Sequence, residues 1–481
     1  MKLFYGIPSL KIDITESALS KCVTDSILHI PVGSDTRDTL FTDPLFGIHK
    51  FVYIEGEVTA TLDEYTSIYI NLKTNTIVKP KSKYKLDPAL LVNGVYKPKL
   101  CLGFVCKNEA PVILDLLNST YKYISYWVIC DTGSTDDTVA IIKKFFEEKN
   151  IPGEMFVDEW VNFQHNKSLL FERCYQKMDY ILHIDADDML EGNFNFEITE
   201  HKSSFFLNSI AGGTLNFKST HLFNSALQWR FLGVAHTVCK YLDKDVDIDS
   251  GDLSDKDFYI KIRSGGARSK DPNKFLKDAL ALKEQFFETL YDDPHGLNSR
   301  SAFYTAQSYH DQGMYKESIQ WYRMYTKLKN TWIEEYFESH KRIAELYMKL
   351  NFDLTKITEQ VDLVNTICPD RAEVSFAFGK HLNNKLKHEL AYKYLSHARK
   401  MDFNAIKNKY LLFLFNHCYG KYINDDLAVA CYHTKRYAES IKYIKEIIDD
   451  PEFSNERQRL QDNLNFAVRE MEKDVSVVMY V

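Results

Sequence analysis

The densest cluster of reactive side chains follows an apolar run. Tyr180-Ile181-Leu182-His183-Ile184 leads directly into Asp185-Ala186-Asp187-Asp188. The run reads as a buried strand, and three carboxylates at its end cannot be buried alone without a large cost. They must be solvated, paired or bound to a cation. Two carboxylates one residue apart at a strand end suit a hard divalent ion, and Mg²⁺ or Mn²⁺ takes oxygen ligands and bridges to substrate phosphates. The competing reading is a polar turn whose Asp residues cap a helix. A second cluster, Asp131-Thr132-Gly133-Ser134-Thr135-Asp136-Asp137, lies between a predicted strand and a predicted helix. Its glycine permits a tight turn, and its hydroxyl and carboxylate groups can read a nucleoside by hydrogen bonding. Helix capping explains Ser134 to Asp137 equally well, but it explains Asp131 less readily. The third cluster, Lys107-Asn108-Glu109, ends the apolar run Leu100–Cys106.

These clusters need elements that bring them together. Between about 97 and 240 the sequence alternates strands and helices. Strands are predicted at Leu100–Cys106, Trp127–Cys130, Met155–Val157 and Tyr180–Ile184, and helices at Pro111–Ser119, Thr138–Lys149 and Asn166–Lys177. Repeated strand–helix units imply a parallel sheet covered by helices. Ligands of such sheets bind beyond the carboxyl ends of the strands, where all three clusters fall. Residues 1–96 read as a β-rich module, with strands near Ile27–Ile30, Lys50–Ile54 and Ser67–Leu72. Turn signals at Asp43-Pro44 and Phe46-Gly47 separate them, and the basic run Lys79–Lys83 reads as a linker. From about 275 the chain is helical and repeats itself. The segment beginning Tyr315-Lys316-Glu317-Ser318-Ile319 returns as Tyr437-Ala438-Glu439-Ser440-Ile441, and more weakly from Lys387. Helix-pair repeats of roughly 34 residues produce this pattern, and stacked pairs leave a face for partners.

Composition narrows the classes. The 481 residues exceed one ordinary domain. A net charge of −7 with interspersed signs gives no nucleic-acid footprint. The nine cysteines are scattered without a Cys-x-x-Cys pair, so neither a zinc ribbon nor a disulfide framework is expected, and a reducing, cytoplasmic setting fits. The stretch from Met1 to Pro8 does not read as a secretory leader, and no apolar run is long enough for a spanning helix. A soluble protein is expected.

Taken together, Gly103–Glu109, Val128–Asp136, Trp160–Lys167 and Tyr180–Asp188 resemble glycosyltransferase family 2, with its nucleotide-binding GT-A fold. Trp229–His236 is similar to the segment that closes that catalytic domain. Gly266–Lys274 and Phe303–Tyr309 resemble a subgroup fused to tetratricopeptide-like repeats. The resemblance implies a GT-A domain over 97–274 and a helical array over 275–481; it says little about 1–96, which is read as a β-rich module from its own residues. It further implies sugar transfer from a nucleoside diphosphate sugar, UDP-linked by analogy, to a glycan or protein acceptor, with inversion and with Mn²⁺ or Mg²⁺. Asn108, Glu109 and Asp131 would face the nucleoside. Lys167 stands where relatives carry Arg and keeps the charge without the planar fork. Asp185 would lie near the ribose and the metal waters, Asp187 would be the main metal ligand, and His236 a further one. Arg268 and Lys270 would steady the diphosphate. Relatives often place Glu after the histidine, but Thr237 follows His236, so the base is unassigned. Asp188 and Glu191 are candidates by proximity. The helical array would carry a homodimer or protein contact. A contrasting expectation is an inactive transferase-like scaffold that binds partners through its repeats.

Overall fold

The computed structural model describes residues 1–478 except 25, 32–33, 43, 45–49, 58, 63–67, 78–90, 213–214, 242–247, 294, 330 and 408. The run Lys79–Lys83 and most of the two early turn signals lie outside the described residues. The chain divides into two compact units, residues 1–271 and 272–481.

The first unit opens with β1 (Lys2–Ile7), β2 (Leu10–Asp13), α1 (Thr15–Lys21), β3 (Val23–Thr24), β4 (Ile27–Ile30) and α2 (Ser34–Phe41). It continues with β5 (Phe51–Glu55), β6 (Ala60–Leu62), β7 (Ile68–Asn71) and β8 (Thr76–Ile77). They form two four-stranded sheets, ordered β2-β1-β5-β6 and β3-β4-β7-β8. Alternate residues point inward, as a half-buried strand requires: Leu3, Tyr5, Leu28, Ile30, Val52 and Ile54 are fully buried. Helices α1 and α2 were not expected from the sequence. Their segments, rich in Ser, Thr and Asp, carry weak helical periodicity, and packing rather than propensity stabilises such helices.

The site is built on the strands that follow. These are β9 (Leu100–Cys106), β10 (Tyr126–Asp131), β11 (Gly153–Val157), β12 (Tyr180–His183), β13 (Met189–Gly192), β14 (Ser204–Ala211) and β15 (Leu215–Asn224). After them come the hairpin β16 (Trp229–Leu232) and β17 (Val238–Tyr241), then β18 (Ser250–Asp252) and β19 (Phe258–Ile262). The sheet runs β11-β10-β9-β12-β15-β14-β19-β13, with β18 on β14. Its first four strands are parallel. From β15 onward the sheet is mixed, because β14 and β15 pair antiparallel and β19 lies parallel to β14 but antiparallel to β13. The expectation of a mostly parallel sheet therefore describes one half only. Crossover helices impose parallel pairing, and they are α3 (Ile113–Thr120), α4 (Thr138–Lys149) and α5 (Phe163–Cys174). Helix α5 starts three residues before its expected position because Asn162 caps it, accepting from the His165 amide at 2.8 Å. Strand β9 is buried on both faces. Gly103 is small for a packing reason: a Cβ there would stand 3.0 Å from Cys174 Sγ and 3.3 Å from Ile181 Cγ2. That gap lets α5 lie close on β9 and β12.

The second unit is helical. It comprises α6 (Lys274–Glu288), α7 (Leu297–Asp311), α8 (Tyr315–Tyr325), α9 (Ile333–Lys349), α10 (Leu354–Ile367), α11 (Glu373–Asn384) and α12 (His388–Arg399). The short α13 (Phe403–Ile406) is followed by α14 (Asn424–His433), α15 (Tyr437–Lys445) and α16 (Arg457–Val478). Helices α7/α8, α9/α10, α11/α12 and α14/α15 pack as pairs. The repeated sequence segments open α8, α12 and α15, the second helix of their pairs. Buried Phe303, Tyr322, Phe337, Val361, Phe378 and Leu395 join the first three pairs into one core. Among the described residues no helix is long and apolar enough to cross a membrane. The nine cysteines are free thiols.

Candidate active site

Strand register fixes the site. Asp131 is opposite Cys106 across β10 and β9, and His183 is opposite Gly103 across β12 and β9. The peptides after Cys106, Asp131 and His183 therefore leave the sheet along one edge.

At the first of these ends Asn108 adopts a left-handed backbone, φ 58°. Its amide donates to Ser134 Oγ at 2.9 Å, and its Oδ1 accepts from the Thr135 amide at 2.7 Å. Asn108 thus clamps the Asp131–Asp137 loop. The buried Asp131 carboxylate is turned into that loop, accepting from the amides of Gly133 (3.0 Å) and Ser134 (2.9 Å) and from Ser134 Oγ. The aspartate that helix capping explained poorly shapes the turn itself. Asp136 Oδ1 takes the Thr138 amide that opens α4, at 3.0 Å.

Four further carboxylates crowd beside this loop. Glu109 is 9% exposed, and its two oxygens lie 3.3 Å from the Ala267 amide. Burial, reinforced by the charges of Asp187 and Asp136, pushes it up to about 7, although the Ala267 amide and Lys270 act the other way. Asp187 is raised by burial and by the charge of Asp185. Asp188, 6% exposed, is pushed up to about 7 by burial and then by Asp185 and Asp187, against the Arg263 amide that donates to it at 2.9 Å. Asp185 behaves oppositely. Its side chain is 54% exposed, and Lys167 at 2.7 Å holds it well below the usual carboxylate range. Glu191 sits on β13, bonded to Tyr259 Oη and paired with Lys261 at 2.8 Å, and these partners lower it.

The segment 263–270 lies across these groups. Arg263 Nε donates to the Asp187 carbonyl at 2.7 Å, and its guanidinium pairs with Asp115. The Gly266 amide reaches Asp187 Oδ2 at 3.2 Å. A Cβ at Gly266 would stand 2.6 Å from that oxygen, so only glycine allows the approach. Arg268 stacks its guanidinium 4.8 Å from the centre of the Phe163 ring. Sequence reasoning missed Arg263 and Asp115. Neither sits in a recognisable cluster, and they meet only because β19 ends beside β13 and α3.

His183 was read from the sequence only as part of a strand. Its Nδ1 lies 2.8 Å from the Gly103 carbonyl, which can only accept, so the proton belongs on Nδ1 and Nε2 carries a lone pair. Burial, then Lys167, lowers it to about 4, so the ring is neutral at pH 7. Nε2 lies 3.8 Å from Asp185 Oδ1. His236 is exposed in the β16–β17 turn with φ 47°. That turn is tied to α5 where the Gly233 amide donates to Gln164 Oε1 at 2.8 Å.

Among the described residues, no three His, Cys, Asp or Glu side chains form a ready-made metal cage. Mg²⁺ and Mn²⁺ do not need one, since one or two carboxylates and substrate phosphates suffice. Asp185 and Asp187 follow one another at the end of β12, and burial before charge repulsion raises the proton affinity of Glu109 and Asp188 beside them.

No protein-family model matches the chain. A glycosyltransferase of Rickettsia felis, itself uncharacterized, is 32% identical over 100 residues, covering 21% of this chain and 32% of the relative. The SPbeta prophage-derived glycosyltransferase SunS of Bacillus subtilis is 34% identical over 103 residues, 21% of this chain and 23% of the relative. The matches thus span about a third or less of these relatives. Among solved structures, S. aureus TarS 1-349 in complex with UDP-GlcNAc aligns with a TM-score of 0.30 at 16% identity, over 52% of this chain and 83% of that one. The mannosyltransferase PcManGT from Pyrobaculum calidifontis, in complex with GDP-Man and Mn²⁺, aligns with a TM-score of 0.30 at 13% identity, over 49% and 77%. About a fifth of this chain is similar in sequence to proteins named as glycosyltransferases.

Proposed function

We propose that the protein is a metal-dependent glycosyltransferase that moves a sugar from a nucleoside diphosphate sugar, UDP-linked, to a hydroxyl or protein acceptor, with inversion at the anomeric carbon. One observation carries this reading: Glu109, Asp185, Asp187 and Asp188 converge at the ends of β9 and β12, and three of the four are raised by burial and mutual repulsion. Such a cluster is stabilised by added positive charge. The sequence similarity to named glycosyltransferases supports the same reading.

Asp187 and Asp185 would hold Mn²⁺ or Mg²⁺, with water and substrate phosphate filling the other positions. Bound there, the ion supplies Lewis-acid neutralisation of a departing diphosphate. The chain's own groups do the rest. Asn108 and Asp131 hold the loop that borders the nucleoside, and Lys167 fixes Asp185. Arg268 and Lys270 bring cationic charge to the same edge, where it favours a leaving diphosphate. Asp188 keeps its proton affinity near neutrality, which suits a group that takes the acceptor's proton. Glu191 is paired with Lys261 and poorly matched to that role. The helical unit would engage a protein partner or a second copy.

The test is a panel of UDP- and GDP-sugars with Mn²⁺ or EDTA, scored by nucleotide release. The expected result is slow hydrolysis of one UDP-sugar, lost in EDTA and in Asp187→Ala. Failure to bind or cleave any nucleotide sugar would overturn the assignment and leave the scaffold reading. Full activity in EDTA would remove the metal role alone.

A further inference from the structure

The parallel strands have two edges, and the carboxylates described above lie along one of them. At the other edge, where β9 and β10 begin, the segments around 97–100, 122–125 and 194–196 line a cavity of about 260 Å³. The seven residues of β9 separate it from the Cys106 end, a distance of about 20 Å at the rise of a strand. It is therefore distinct from the candidate active site.

The lining combines cations with an apolar surface. Lys97 and Lys99 come from the approach to β9, Lys122 comes from the α3–β10 turn, and Ser125 adds a hydroxyl. The buried Phe194 and Phe196 supply the apolar part with Tyr123, whose ring meets Phe194 edge-on at 5.1 Å. Lys177, Lys218 and Lys261 of the same unit are paired with carboxylates. Among the described residues Lys97, Lys99 and Lys122 meet none, and Lys122 stands 5.7 Å from the centre of the Tyr121 ring. Asp179, on the same edge, turns its Oδ2 to Tyr96 Oη and to the Lys99 amide, accepting from each at 2.7 Å. That bond, the bridge between Tyr96 and Ile198, and the Ser125 amide donating to the Leu100 carbonyl at 2.8 Å hold the backbone that carries the lysines.

Three cationic side chains at one cavity repel one another, so an anion between them is favoured. An ammonium is a compact point charge that meets phosphate oxygens singly, without the planar fork of Arg. A phosphate monoester carries a charge of about −1.5 to −2 at pH 7 and three terminal oxygens. It matches three separate ammonium groups better than a carboxylate does, with one charge and two oxygens. The aromatic lining gives the remainder of the ligand an apolar surface. Small-molecule pockets run from about 300 to 1,000 Å³, so that remainder is small.

We propose that this cavity is a second ligand site, for a phosphate monoester carried on an apolar body. Lys97, Lys99 and Lys122 take the phosphate, and Tyr123, Phe194 and Phe196 take the body. A free organic phosphate and a lipid headgroup present the same group. The inference does not depend on the sugar-transfer reading.

The probe is phenyl phosphate, titrated by calorimetry into the full chain without added metal, with inorganic phosphate as the comparison. Phenyl phosphate should bind about tenfold more tightly than inorganic phosphate, because its ring leaves water. Lys97→Ser/Lys99→Ser/Lys122→Ser should lower its affinity at least about tenfold, and arginine at the same three positions should retain most of it. All three side chains are exposed, so both variants should keep the circular dichroism of the unmodified chain. Arg268→Ala/Lys270→Ala, which removes cations from the opposite edge, should leave phenyl phosphate binding unchanged. Flotation with phosphatidylcholine vesicles containing phosphatidic acid identifies the source. Flotation that needs the three lysines assigns the phosphate to a lipid headgroup, and phenyl phosphate binding without flotation assigns it to a free organic phosphate. Absence of both would overturn the proposal. So would binding that survives the serine variant, binding lost in Arg268→Ala/Lys270→Ala, or inorganic phosphate bound as tightly as phenyl phosphate.

Discussion

Replacing Glu109 by Gln should stabilise the folded protein at alkaline pH and leave it nearly unchanged at pH 4. Glu109 is buried against the Ala267 amide, and its carboxyl is displaced from an ordinary 4.5 to about 7. Between those values the folded protein keeps the proton and the unfolded chain releases it, so folding binds protons and stability falls as pH rises. The stability is fully present below 4.5 and lost as pH passes through about 7. A displacement of that size corresponds to about 3 kcal/mol. Glutamine has nearly the same shape, keeps an acceptor for Ala267 and never ionises. Urea unfolding at pH 4, 6 and 8, followed by tryptophan fluorescence, should therefore show the variant about equal to the unmodified protein at pH 4 and about 3 kcal/mol more stable at pH 8. Mn²⁺ at pH 8 should narrow the gap, because a cation near Asp187 makes an ionised Glu109 less costly. A stability difference independent of pH, or a variant less stable at pH 8, would refute the argument that burial and Asp187 together hold the Glu109 proton.

Three further outcomes follow from the same contacts. Gly266→Ala places a Cβ 2.6 Å from Asp187 Oδ2, so the Asp187 side chain or the 263–270 segment must shift; a loss of about 1–3 kcal/mol in urea unfolding is expected, together with weaker Mn²⁺ binding. Lys167→Met removes the ammonium 2.7 Å from Asp185 and should raise Mn²⁺ affinity several-fold in titrations read by electron paramagnetic resonance, since a competing charge is gone; weaker binding would contradict it. Glu191→Gln should change nucleotide-sugar hydrolysis less than about twofold, because Glu191 is held on β13 by Tyr259 and Lys261 and surface pairs contribute little; loss of turnover would return it as the base.

The sequence alone determined the elements that carry local signals. The apolar run Leu100–Cys106 became β9 over those same residues, and Thr138–Lys149 became α4. Strand length, apolar content and capping residues act within a few positions of one another, so they are legible along the chain. The repeated segments at Tyr315 and Tyr437 likewise mark helix starts, because each pair must bury the same kind of face. The start of α5, the mixed half of the sheet and helices α1 and α2 were not legible. They depend on which surfaces meet, and weak propensities yield to packing there. The site divides in the same way. Asp185, Asp187, Glu109 and Asp131 were visible as polar strand ends that needed a partner. What each partner is was decided only in three dimensions. Asp131 spends its carboxylate on its own loop, Asp185 is paired with Lys167, and Asp188 anchors the Arg263 backbone 75 residues downstream. Charge interaction and burial act through space, and a pKa near 7 on Glu109 exists only once β9, β12 and the 263–270 segment are brought together.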